Sequence, residues 1–170
     1  YSEKLADLFP LKVSEIHLGG GTPTFLPPDI LRVLMEGLYK NLKLSKDTSI
    51  SVEIDPRTTS DEHLIIMRDL GVNRLSLGVQ DFDKKVQTAV NRVQPFELVA
   101  GITEKARKLG YTSINFDLIY GLPFQTESST QETIEKVLSL SPDRIAYYSY
   151  AHVPWMKASQ RLFKEEDLPS

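Results

Sequence analysis

Five short β-like runs alternate with helix-like runs along the chain, and that order restricts the fold more than any other feature. The predicted strands are Val13 to Leu18, Ser49 to Ile54, Asn73 to Val79, Thr112 to Ile119 and Asp143 to Tyr150. A predicted helix from about Pro28 carries Leu31, Leu34, Met35, Leu38 and Leu42 on one stripe, the spacing of a buried amphipathic face. Pro28 suits a first helical turn, where its missing N–H costs nothing. The next helix opens with Thr59 and Glu62 in capping-box spacing and stops at Gly71. Two helices follow the third strand, near Asp83 to Val90 and from Pro95 to Gly110, the longer burying Val99, Ile102, Ala106 and Leu109. A last helix spans about Thr130 to Leu140, and the tail from Ala151 to Ser170 has no clear assignment. Strand–helix alternation of this kind builds parallel βαβ units with right-handed crossovers. Periodicity leaves an open doubly wound sheet and a barrel sector equally available. Both place ligands at the carboxyl ends of their strands.

With 170 residues, 41% of them hydrophobic, the chain suffices for one globular domain with a real core. The net charge is −3 and Lys and Arg form no long run, which argues against nucleic-acid and membrane-surface partners. No apolar stretch approaches the roughly 20 residues of a membrane helix, and no signal peptide opens the chain, so a cytoplasmic setting is expected. There are 0 cysteines, so these residues supply neither a disulfide nor a thiolate ligand. The start at Tyr1 and the end at Leu168-Pro169-Ser170 read as those of an internal segment.

Polar residues gather at the predicted strand ends. They are Gly20, Gly21 and Thr22, then Glu53 and Asp55, Gln80 and Asp81, Asp117, and finally Ser149 and His152. If the strands are parallel, these groups meet on one rim, the expected small-molecule site. Gly19-Gly20-Gly21 serves either as a flexible turn or as bare backbone that a ligand approaches. It lacks the spacing of a dinucleotide fingerprint or a phosphate loop. Glu53 and Asp117 stand in apolar strands, where a carboxylate needs a partner, either within the protein or in a ligand bearing hydroxyl or ammonium groups. Arg92 suits a ligand carboxylate, but by itself reads first as a surface salt bridge. His17 reads as a packed structural residue, His63 as a solvated first-turn residue, and His152 as a rim residue. The run Tyr147-Tyr148-Ser149-Tyr150 reads as core, with Ser149 on the opposite face. No metal-ligand spacing or acyl-transfer triad is present.

In order along the chain stand Gly19-Gly20-Gly21-Thr22-Pro23-Thr24, Val52-Glu53-Ile54-Asp55-Pro56-Arg57, Leu77-Gly78-Val79-Gln80-Asp81-Phe82, Asn91-Arg92-Val93-Gln94-Pro95-Phe96, Asn115 to Pro123, and Ser149 to Trp155. Together these segments resemble the oxygen-independent coproporphyrinogen III dehydrogenases. The resemblance implies an α/β fold, a partial (β/α)6 TIM-like radical-SAM barrel lacking its first strand and cluster loop. Residues 1–150 would form strands two to six of that barrel, and 151–170 the start of a connection to a further domain. It implies a [4Fe–4S] cluster, held by a C-x3-C-x2-C motif that would precede Tyr1, and two molecules of S-adenosyl-L-methionine (SAM). Gly20 and Glu53 would serve the cluster-bound SAM. Gly21, Thr22, Gln80, Arg92, Asp117 and Ala151 would serve the second. The implied reaction converts two propionates of coproporphyrinogen III to vinyl groups through a 5′-deoxyadenosyl radical, yielding protoporphyrinogen IX in heme biosynthesis. The 170 residues alone would be inactive. The implied partners are this substrate and an electron donor such as flavodoxin or ferredoxin, with the protein a monomer. Asp81 and Gln94 favour the dehydrogenase over heme-chaperone-like relatives, which tend to carry serine and histidine there. A SAM- or nucleotide-binding module without radical chemistry, and a phosphate-binding TIM-type enzyme, are the remaining alternatives.

Overall fold

A computed structural model describes residues 11–40 and 42–169. Its strands are β1 (Leu11–Leu18), β2 (Leu42–Ile54), β3 (Arg74–Gln80), β4 (Ser113–Tyr120) and β5 (Arg144–Ser149). Its helices are α1 (Pro28–Tyr39), α2 (Asp61–Asp69), α3 (Lys84–Ala89), α4 (Phe96–Lys108) and α5 (Glu127–Ser139). The strands form one sheet in the order β1-β2-β3-β4-β5, and each neighbouring pair is parallel.

Residues from Thr48 to Ile54 of β2, and along β3 and β4, alternate between buried and half-buried. Val52, Ile54, Leu75, Leu77, Val79, Ile114, Phe116 and Leu118 lie on the buried side and share one core with Leu31, Met35, Leu64, Met67, Val99, Ile102 and Ala106 of the helices. The alternate residues include Ser51, Glu53, Ser76, Gly78, Asn115 and Asp117. A parallel sheet packed by helices on both faces would read as continuous apolar runs. This one has a helix-covered face and a polar face, the arrangement that makes a site.

Several local expectations are corrected. β2 begins at Leu42, not Ser49, because its first half pairs with β1 through Leu11↔Leu42 and Val13↔Leu44. The register then jumps to Glu15↔Ser49, and Thr48 fastens the irregularity by accepting from Ser45 N–H and donating to the Val13 carbonyl. Those polar residues concealed the strand's alternation. Helix α2 is capped by Ser60, with His63 rather than Glu62 completing the capping box. His63 is buried, not solvated: Nδ1 accepts from Ser60 N–H while Nε2 donates to the Leu26 carbonyl. Thr59 donates to the Asp55 carbonyl instead. Gly71 ends the helix at φ +88°, a left-handed conformation that other residues adopt at a cost. Helix α5 starts at Glu127, capped by Thr126, earlier than its apolar spacing suggested.

Only part of the α1 stripe is core. Leu31 and Met35 are fully buried, whereas Leu34 and Leu38 are exposed. Tyr147 and Tyr148 are exposed as well, correcting their reading as core; β5 has β4 as its one strand neighbour among the described residues. The tail folds back toward the sheet, since Phe124 N–H donates to the Asp167 carbonyl and buried Gln160 bonds Val153 N–H and the Ala151 carbonyl.

Candidate functional site

The polar face is built by three adjacent strands in register. Glu53 of β2 lies opposite Ser76 of β3, and Gly78 of β3 opposite Asp117 of β4. Glu53 Oε2 accepts from Gly20 N–H at 3.2 Å, and Oε1 lies 3.2 Å from His17 Nε2. His17 is therefore a partner of Glu53 and not a packed core residue; its side chain is 52% exposed. Gly20 adopts φ +103°, and nothing stands within 4 Å of where its Cβ would be, so a ligand can approach bare backbone there.

Asp117 accepts from Ser76 Oγ at 2.8 Å and from Asn115 Nδ2 at 2.7 Å. Burial pushes its carboxyl above the usual range and Glu53 adds to this, while the two hydrogen bonds and His17 oppose it. A carboxylate held in this way favours a ligand that brings hydrogen-bond donors or positive charge.

At the end of β3 the chain turns sharply. Gln80 has φ +67°, and the register skips from Gly78↔Asp117 to Gln80↔Leu118. The Gln80 and Arg92 side chains both lie over Gly78, where a Cβ would stand 2.8 Å from Arg92 Nη2 and 2.9 Å from Gln80 Nε2. Arg92 donates from Nη2 to the Gly78 carbonyl at 2.9 Å and pairs from Nη1 with Asp55 at 3.0 Å. It is thus an internal brace and not a surface salt bridge. Arg57 grips the same Asp55 through Nε and Nη2. Arg92 Nε is buried with no partner, a donor left over on the site's edge.

Gln80, Arg92 and Ala151 line one cavity of about 400 Å³ together with Ser149, Tyr150 and Lys157. Gly21 and Thr22 line a different groove with Phe25, Leu34 and Leu38. Of the predicted site residues, Gly20, Glu53 and Asp117 form one contiguous edge, and Gln80, Arg92 and Ala151 a second beside it. Gly21 and Thr22 stand apart. His152 keeps its Nδ1 buried and unpartnered, near the Tyr150 ring. Sequence reasoning missed His17, Ser76, Gly78 and Asn115. A glycine inside a strand was the available signal for Gly78.

A model of the radical SAM superfamily matches residues 2–137. The chain belongs to the radical SAM superfamily. It is 50% identical over 160 residues to the oxygen-independent coproporphyrinogen III oxidase of Helicobacter pylori, covering 94% of this chain and 35% of that protein. It is 51% identical to the enzyme of that name from Pseudomonas aeruginosa, covering 93% and 35%. The solved coproporphyrinogen III oxidase of Escherichia coli, described as a radical SAM enzyme, overlays with a TM-score of 0.90 at 47% identity, covering 94% of this chain and 37% of that one. The chain thus spans about a third of the length of the curated relatives it matches. Its five parallel strands are a sector of a TIM-like radical SAM barrel, as the sequence resemblance implied.

Radical SAM membership implies SAM and a [4Fe–4S] cluster. The donor set fits SAM: Glu53 and Asp117 suit ammonium and hydroxyl groups, and the unpartnered Arg92 Nε suits a carboxylate. It does not fit the cluster. The chain has no cysteine, and the described residues contain no group of His, Asp and Glu able to hold a metal.

Proposed function

We propose that the intact protein carries out the oxygen-independent oxidative decarboxylation of coproporphyrinogen III to protoporphyrinogen IX, with this chain supplying the SAM-binding part of its barrel. The overlay on a solved coproporphyrinogen III oxidase at 47% identity carries the reading. In the proposed reaction each of two propionates loses a β-hydrogen atom, carbon dioxide and one electron, and becomes a vinyl group. SAM and a [4Fe–4S] cluster, which these residues do not hold, would supply the radical chemistry in the intact protein, while this chain's Gly20 and Glu53 would hold the SAM.

This chain's residues bind and orient. Glu53, fixed by Gly20 N–H, accepts from the ammonium or ribose hydroxyls of one SAM. Gln80, Arg92, Asp117 and Ala151, with Gly21 and Thr22, serve a second. That Gly20–Glu53 and the cavity lined by Gln80, Arg92 and Ala151 are two neighbouring edges supports two positions, although Asp117 lies on the first edge and Gly21 and Thr22 line another groove. The polar face leads to a buried apolar layer that keeps water from the helix side. The proposed barrel domain runs over residues 1–150, with 151–170 the proposed start of a connection to a further domain. The proposed setting is a cytoplasmic monomer that takes electrons from flavodoxin or ferredoxin. Among the described residues no helix is long and apolar enough to cross a membrane.

The test is an anaerobic assay of the intact protein with SAM, a reductant and coproporphyrinogen III. The expected result is protoporphyrinogen IX with two molecules of carbon dioxide released per product. SAM binding and heme binding without decarboxylation would assign the protein to the heme-chaperone-like relatives instead.

A further inference from the structure

The penultimate residue of β1 is a histidine whose hydrogen bonds are constrained by chemistry. His17 Nε2 faces Glu53 Oε1 at 3.2 Å, and Nδ1 faces Ser51 Oγ at 2.9 Å. An ionised carboxylate only accepts, so Nε2 must carry a proton. Ser51 Oγ donates to the Ile16 carbonyl at 3.3 Å, and all these bonds are kept when Nδ1 donates to Ser51 as well. In the neutral tautomer Ser51 turns its proton to Nδ1 and gives up Ile16. Either way, Nε2–H points at Glu53.

Two further observations fix the pair in place. Gly20 N–H holds the other carboxylate oxygen. The pair also crosses directly over Gly19, where a Cβ would stand 2.7 Å from both Glu53 Oε1 and His17 Nε2. The first glycine of the turn is thus required by the His17–Glu53 contact and not by backbone conformation. With one donor on each oxygen, Glu53 keeps one acceptor site open on each. Glu15, Arg74 and Arg144 line a cavity with His17, and Arg74 pairs with Glu15; Glu53 is the carboxylate within hydrogen-bonding distance of His17.

We propose that His17 is a positioning residue, whose Nε2–H holds the Glu53 carboxylate so that its open acceptor sites face the ammonium or hydroxyl groups of a nucleoside-bearing ligand. That the ligand is SAM rests on the function proposed above.

The experiment uses the intact protein and three variants, His17→Phe, His17→Gln and Gly19→Ala. SAM affinity is measured by titration, thermal midpoints are recorded for each, and ring-nitrogen NMR is taken on the ligand-free wild type. His17→Phe removes the donor and weakens SAM binding by about tenfold, the size of one partly exposed charge-assisted hydrogen bond. His17→Gln returns an N–H near the Nε2 position and recovers affinity to within about threefold of wild type. Gly19→Ala keeps the histidine yet weakens binding as His17→Phe does, because it forces the pair apart. The NMR spectrum shows a proton on Nε2. His17→Phe binding SAM like wild type, or His17→Gln binding as weakly as His17→Phe, overturns the proposal. If His17→Phe fails to fold, Gly19→Ala and His17→Gln decide. An Nε2 without a proton overturns the positioning role alone, whereas a wild-type protein that ignores SAM overturns the ligand.

Discussion

Asp117, proposed above to meet a ligand, shows how burial and neighbours shift a single carboxyl at a cost to the fold. Burial raises its pKa, Ser76 and Asn115 pull it down, Glu53 raises it and His17 lowers it, with a net rise above 3.8. A raised carboxyl pKa means the fold holds the proton more readily than the unfolded chain does. Its stabilising contribution is full below the unfolded value and is lost as pH rises through the folded one. At neutral pH the ionised group is therefore a small cost, which the donors of the proposed ligand would offset. Asp117→Asn should raise the thermal midpoint of the ligand-free protein by about 1–3 °C in calorimetry. The same variant should weaken SAM binding at least about tenfold by titration, since a neutral amide attracts an ammonium or hydroxyl group less. Arg92 behaves in the opposite way. Burial pulls its guanidinium down while Asp55 pushes it up, and its fork is already committed to protein partners on two of three nitrogens.

The end of β3 is braced as an element. Asp81 is 1% exposed and accepts from Asp83 N–H at 2.6 Å, Thr133 Oγ1 at 3.1 Å and Gln125 Nε2 at 2.5 Å. These bonds tie the β3 turn to α5 and to the turn after β4. Gln94 is buried beside it, donating to the Gly78 and Val79 carbonyls and accepting from Gln87. The two residues that favoured the dehydrogenase in the sequence are thus parts of the rim's scaffold. A chain with serine and histidine there would brace the same turn differently. Asp81→Ala leaves three donors without an acceptor and should destabilise the protein by about 3 kcal/mol. Chemical denaturation should show this as a lower midpoint with an unchanged slope.

For the molecule as a whole, acid sensitivity follows from three depressed carboxyls, Asp55, Asp143 and the fully exposed Glu104, against one raised, Asp117; solvent screens Glu104, so the first two matter. Burial raises the Asp55 pKa, but the Arg57 hydrogen bonds and the charges of Arg92 and Arg57 outweigh it and the net shift is down from 3.8. Asp143 is lowered by Ile114 N–H and Arg107, with burial opposing, and solvent screens that more exposed pair. A depressed pKa gives stability that is present above the unfolded value and lost as pH falls through the folded one. The thermal midpoint should hold steady from neutral pH to about pH 5 and fall below about pH 4. In Asp55→Asn the midpoint should already be lower at neutral pH and should fall less steeply in acid. An equally steep fall in that variant would remove Asp55 from the account.

What the sequence determined by itself was the order of elements, the parallel sheet and the edge on which polar residues gather. Those follow from short-range regularities: apolar spacing, glycine and proline at element ends, and the rule that places strand termini on one rim. Glu53 and Asp117 were legible because a carboxylate in an apolar strand is costly without a partner. Only the tertiary structure decided which groups partner them. His17 and Glu53 are 36 positions apart in sequence, Ser76 and Asp117 are 41, and strand register brings each pair together. The same reason moved His63 from solvent to a buried cap, Arg92 from the surface to a brace, and the β5 tyrosines from core to exposure. A side chain's local spacing says which way it faces, but what it meets there is set by residues on other strands.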